Sequence, residues 1–182
     1  GIVGAGLVAD KTFATVPVSL MQLGIASGVI PAAMLMRRYG RRSGYLLGAT
    51  TGVVASSIAA AGAGMRVFWL FCLGTFLCGV YGAFVQSYRF AAADTASEAF
   101  KAKAISWVMI GGLAAAVIGP QSVYWTRDLT PDAPFAASFL AQGALAFLAI
   151  GVVLLLRAPP VAAVKSGGGR PLSEIMRQPK FI

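Results

Sequence analysis

The chain contains no histidine and only six acidic residues among its 182. The first absence removes the commonest general base and the commonest metal ligand. A catalytic site would then need paired carboxylates, or a nucleophile beside some other base, at one depth. The acids do not supply that pair, because Asp94 and Glu98 fall in a charged turn and not inside an apolar segment. Cysteine is nearly absent as well. Cys72 and Cys78 lie six positions apart in one apolar stretch, on different sides of a helix, so the spacing supports neither a disulfide nor a metal site. They read as small residues packing within a helix.

Charge of either sign is scarce. Charged residues make up 12% of the chain and hydrophobic ones 58%, with a mean hydropathy of +0.77, outside the usual balance of a soluble domain. What is present instead is five long apolar stretches, at 13–36, 44–65, 67–89, 105–125 and 135–156. At 1.5 Å of rise per residue, about 20 residues cross a hydrocarbon core of roughly 30 Å. Five such segments in series leave no amphipathic element to face water. The chain therefore reads as an all-α, polytopic bundle of membrane helices, with the lipid bilayer as its solvent.

The net charge of +9 raises the question of a nucleic-acid partner, and the location of the charges answers it. Counting from a partial first helix at 1–9, one side of the membrane receives Arg37, Arg38, Arg41, Arg42, Arg89, Lys101, Lys103, Arg157, Lys165, Arg170, Arg177 and Lys180. The other side receives only Lys11, Arg66 and Arg127. This asymmetry predicts that the 37–42 loop, the turn around Lys101 and the C-terminal tail are cytoplasmic, in a multi-pass protein of a bacterial inner membrane. No nucleic acid, metal or cofactor is expected.

The domain layout follows: a transmembrane bundle over 1–157, a cytoplasmic linker with a short amphipathic helix over 158–178, and the start of a further membrane helix at 179–182. The linker is marked by Pro159-Pro160 and Gly167-Gly168-Gly169, and Leu172, Ile175 and Met176 give its short helix an apolar face. The first helix reads as truncated.

Within the spans the pattern is one of small residues. Gly4-Ala5-Gly6-Leu7-Val8-Ala9 fits a dinucleotide-binding fingerprint, but a membrane span follows in place of a βαβ unit, so helix packing explains the glycines better. In the third helix Gly44, Gly48, Gly52, Ser56, Ala60 and Gly64 recur every four residues, which predicts close approach by a neighbour. The fifth helix repeats the spacing at Gly111, Ala115 and Gly119, and Gly119-Pro120 predicts a bend. The sixth, apart from Ser138, Gln142 and Gly143, is expected to serve packing and the lipid face. The fourth helix is the best place for chemistry: Cys72, Thr75, Gly79, Gly82, Gln86 and Arg89 share one face that grows more polar toward Arg89. Arg89 suits either an interface, by snorkelling, or a water-filled cavity.

The segment after the second helix carries the most specific motif. Leu35, Arg38, Gly40, Arg41 and Arg42 stand in register with G-x-L-A-D-R-x-G-R-K, the loop signature of the major facilitator superfamily, and Gly119-Pro120 is similar to the glycine-proline element of its antiporter motif. The chain thus resembles the N-terminal half of such a transporter. It departs from the signature at Arg37, in the place of the aspartate, and at Ala33, in the place of the first glycine. Thr75 stands where many proton-coupled members carry an arginine, and no acid lies midway in a complete span.

The resemblance implies two six-helix halves rocking about a midplane site, a fragment of a twelve-helix secondary-active permease for a small solute. The missing C-terminal six-helix half would be its partner. Helices one, two, four and five would line the cavity, and the candidate contacts are Gln22, Thr75, Gln86, Arg89, Gly112 and Gln121. A proton site within this chain would have to use Asp94 or Asp10. Two other readings stay open: the permease subunit of an ATP-driven transporter, and a polytopic membrane enzyme or sensor domain.

Overall fold

In the computed structural model, which describes residues 2–8, 10–87 and 99–155, every described element is helical. A short α1 (Ile2–Leu7) leads into a 3-10 turn (Lys11–Thr15) that continues directly as α2 (Val16–Tyr39). Then follow α3 (Arg41–Gly64), α4 (Phe68–Gln86), α5 (Lys101–Thr126) and α6 (Ala136–Leu155). Five of these are long and apolar enough to cross a membrane. The layout proposed for 158–178 and 179–182 falls outside the described residues, as do Arg89, Asp94 and Glu98.

The expected 37–42 loop shrinks to one residue. Arg37 and Arg38 occupy the last turn of α2, α3 begins at Arg41, and only Gly40 is non-helical, with φ 84° and ψ 163°. Only glycine adopts that region readily, so one residue without a β-carbon reverses the chain between two 24-residue helices. At its other end the 3-10 turn that leads into α2 is capped by Asp10, whose carboxylate accepts from the Thr12 amide at 2.9 Å, and α2 itself opens with Pro17, which needs no donor in a first turn. Pro31 lies well inside α2 without ending it, as membrane helices tolerate.

Small residues then set the packing. α4 packs against both α2 and α3, and α6 packs against α3. Gly24 of α2 and Gly79 of α4 lie against each other's backbone: a β-carbon on Gly24 would strike the Phe76 carbonyl, and one on Gly79 would strike that of Met21. Without side chains at these two places the helices approach closely, and dispersion between backbones replaces the hydrophobic drive that lipid removes. α3 runs antiparallel to α4, with Gly48 against Phe84, Gly52 against Tyr81 and Gly62 against Phe71.

The row in α3 behaves as its spacing predicts along most of its length. Gly44 meets Met36, Ser56 is wholly buried beside Gly143 of α6, and Ala60 is buried, while Gly64 opens onto free space. Ala55 and Ala59 add a second buried stripe, so α3 is enclosed from two sides. Toward one end of the bundle Ala59, Ala63, Phe71 and Ala136 form a core joined by Val3, Leu7, Ala133 and Phe139, where the Phe71 and Phe139 rings meet edge to face at 5.4 Å.

α5 departs from expectation. None of its described residues is buried, and a β-carbon on Gly111, Gly112 or Gly119 would meet nothing within contact range. Its substantial neighbour among the described residues is α6, joined through Thr126 Oγ1 and Ser138 Oγ at 2.8 Å. The expected packing row at Gly111, Ala115 and Gly119 therefore has no neighbour here, and Pro120 lies inside an unbroken helix.

Candidate functional site

The polar groups that a solute would meet are the side chains left on open helix faces. On α2 the buried stripe is Pro17, Gly24, Gly28 and Ala32, turned toward α4. Gln22, two positions from Gly24, projects away from that stripe and is exposed. On α4 the face singled out in the sequence splits along its length. Cys72 and Thr75 are buried at 2% and 7% exposure, Gly79 lies against α2, and Gln86 is exposed.

Thr75 is the correction. Its hydroxyl donates to the Cys72 carbonyl one turn back at 2.9 Å, and the side chain is enclosed between helices. A buried hydroxyl bonded to its own backbone serves packing and has no proton left to offer a solute. Gly112 and Gln121 lie on the exposed surface of α5. The structure thus brings α2 and α4 together, with Gln22 and Gln86 on open faces, and leaves Gly112 and Gln121 on an element that does not pack against either.

Other polar contacts organise the bundle. Gln142, to which the sequence pattern gives no role, donates Nε2 to the Cys78 sulfur at 3.8 Å across α6 and α4, with the Ser56 hydroxyl also beside that thiol. An amide flanked by a buried glycine, Gln142-Gly143, was the available signal. Both cysteines are free thiols. Arg42 donates to the Leu154 carbonyl at 2.9 Å and Arg66 to the Asp132 carbonyl at 3.2 Å, which sets Arg37, Arg38, Arg41 and Arg42 at one end of the bundle and Arg66 and Arg127 at the other. Each of these two bonds ties a helix corner to α6 or the turn before it.

Asp10 is the one described acid that the sequence offered as a proton carrier. Its carboxylate accepts from the Thr12 hydroxyl and then the Thr12 amide, and these bonds hold its pKa below the usual carboxylate range. It is a charged helix cap, not a group poised to pick up a proton near neutrality. Among the described residues no cluster of three His, Cys, Asp or Glu side chains is placed to hold a metal.

A family model described as Major Facilitator Superfamily matches residues 2–182. The chain belongs to the major facilitator superfamily. Within this superfamily, the riboflavin transporter RfnT of Brucella anthropi is 54% identical over 185 residues, an alignment that takes in 100% of this chain and 46% of that protein. An uncharacterised MFS-type transporter of Bacillus subtilis, YdeG, is 27% identical over 169 residues, covering 91% of this chain and 39% of its own length. A second, YddS, is 27% identical over 160 residues. No solved structure gives a match. The chain spans less than half the length of the curated relatives it matches.

Of the readings that the sequence left open, family membership favours the major facilitator one over the ATP-driven permease and the membrane enzyme. The five helices long and apolar enough to cross a membrane and the match to part of longer relatives agree with it.

Proposed function

We propose that this chain forms the N-terminal wall of a secondary-active transporter that moves riboflavin, or a solute sharing its fused ring and polyol chain, by alternating access. The observation that carries the reading is the 54% identity to a riboflavin transporter along the whole of this chain. The side chains are compatible with an uncharged, hydrogen-bonding solute. The polar groups on open faces include the neutral amides of Gln22, Gln86 and Gln121, which both donate and accept.

In this reading α2, α4 and α5 present their open faces to a second six-helix half, and the two halves rock about the solute. Arg89, which follows α4 in the sequence, is assigned the role of a cytoplasmic gate in this reading. That end, with Arg37, Arg38, Arg41 and Arg42, is cytoplasmic by the excess of basic residues it carries.

The test is uptake of labelled riboflavin into proteoliposomes containing the full-length protein. Saturable uptake is expected, competed by flavins and not by unrelated vitamins. Gln86→Ala and Gln121→Ala should each depress it by about two- to tenfold, the worth of one hydrogen bond, at unchanged membrane abundance. Absence of saturable riboflavin uptake by a folded protein overturns the substrate. Full uptake by both variants removes the two glutamines from the pathway.

A further inference from the structure

Away from the amides assigned to the solute pathway, a groove runs along α2 on the side where α3 approaches. Its floor and walls come from Gly28, Pro31 and Leu35 of α2, Leu47 of α3, and Val80 and Phe84 of α4, around a volume of about 360 Å³. A second hollow of about 650 Å³ continues from it, sharing Pro31 and Leu35 and reaching Arg37, Arg38 and Tyr39. We infer that this continuous groove binds one anionic phospholipid, with an acyl chain along Pro31 and Leu35 and the head-group phosphate at Arg37 and Arg38.

Three observations fix the occupant. The first is what the walls offer: the two hydroxyls in the deep part, Ser27 and Thr51, already donate to the Leu23 and Leu47 carbonyls at 2.8 and 2.7 Å. The remaining side chains are apolar, so the buried part of the occupant is hydrocarbon. The second is charge. Arg37 and Arg38 are exposed in the last turn of α2, and the described carboxylates, Asp10, Asp128 and Asp132, all belong to the opposite end of the bundle. Arg37 also stands where the superfamily signature has an aspartate, so this mouth is more cationic than the signature prescribes. Among the described residues no carboxylate stands beside these two guanidiniums, an arrangement that suits a phosphate diester.

The third is length. From Ser27 to Arg38 the helix rises about 16 Å, close to half of the roughly 30 Å hydrocarbon core, which is one leaflet. Tyr39, 57% exposed and 5.5 Å from the Arg38 guanidinium, marks the head-group level. None of Gln22, Gln86 and Gln121 is among the residues that line the two hollows.

The experiment uses the full-length protein in nanodiscs of equal phosphatidylglycerol and phosphatidylcholine, released for native mass spectrometry. One phosphatidylglycerol should be retained in preference to phosphatidylcholine. Arg37→Gln with Arg38→Gln should cut the enrichment by about fivefold per arginine removed, and Arg37→Lys with Arg38→Lys should largely restore it. Arg66→Gln with Arg127→Gln, at the other end, should leave it unchanged. Thr51→Trp, which fills the groove and spares the arginines, should release the lipid. Equal retention of the two lipids overturns the site, as does enrichment that survives the Arg37 and Arg38 changes. Equal loss in the Arg66 and Arg127 variant reduces it to general charge attraction, and displacement by inorganic phosphate assigns the arginines to a soluble anion. Because nothing here reads transport, failure of the lipid site and failure of the riboflavin assignment are distinguishable.

Discussion

At position 10 a carboxylate accepts two hydrogen bonds from the residue that opens the helix, and its proton affinity falls as a result. The sign follows from linkage. A carboxyl whose folded pKa lies below its unfolded value near 3.8 stabilises the fold above that value and ceases to do so as pH falls through the folded one. Asp10→Ala should therefore melt modestly earlier than the parent at pH 7, and the two melting curves should converge below about pH 4. Thermal unfolding in detergent across pH reads this directly, and a difference that persists in acid contradicts the capping role. Thr75 teaches the complementary point. Its spacing from Gln86 places both on one helical face, yet one is enclosed and the other open, because a neighbouring helix covers only part of that face. Periodicity reports direction around a helix and is silent about how far along it the cover extends.

Among the elements, α3 and α5 carry the same four-residue spacing of small residues and have opposite fates. Gly44, Gly48 and Gly52 are met by Met36, Phe84 and Tyr81, while Gly111 and Gly119 face open space. A row of small residues states that a backbone can be approached, and the approach itself depends on elements elsewhere in the chain. That is why helix number, length and the burial of α3 were legible from hydropathy and spacing, and the bareness of α5 was not. The one-residue turn at Gly40 was equally hidden, since four arginines within six residues suggest a loop although their long stems suit a helix end at the membrane surface. The seam between α2 and α4 gives the sharpest test. Gly79→Ala forces the α2 backbone outward and should cost about 1–3 kcal/mol, whereas Gly64→Ala, in open space, should stay within about 0.5 kcal/mol of the parent. Equal melting temperatures for the two variants contradict the backbone contact.

For the molecule as a whole, the two ends differ in charge and are tied by different bonds, Arg42 to Leu154 at one and Arg66 to Asp132 at the other. Membrane orientation follows if the arginine-rich end is cytoplasmic. In a cysteine-free background of the full-length protein, Leu129→Cys should react with a membrane-impermeant maleimide on intact cells and Arg38→Cys only after permeabilisation, with a several-fold difference in labelling. The reverse pattern inverts the topology and the membrane leaflet assigned to the lipid groove.

Gly40 finally bears on how such a bundle can move. Two long rods joined through a lone pivot, one of them clasped to the end of α6 by Arg42 and pressed at Gly44 onto Met36, have no slack between them. Tilting either one drags its sister along. If the halves rock as proposed above, this pair would act as a lever arm, and the compliance that lets a gate swing would reside outside the hairpin.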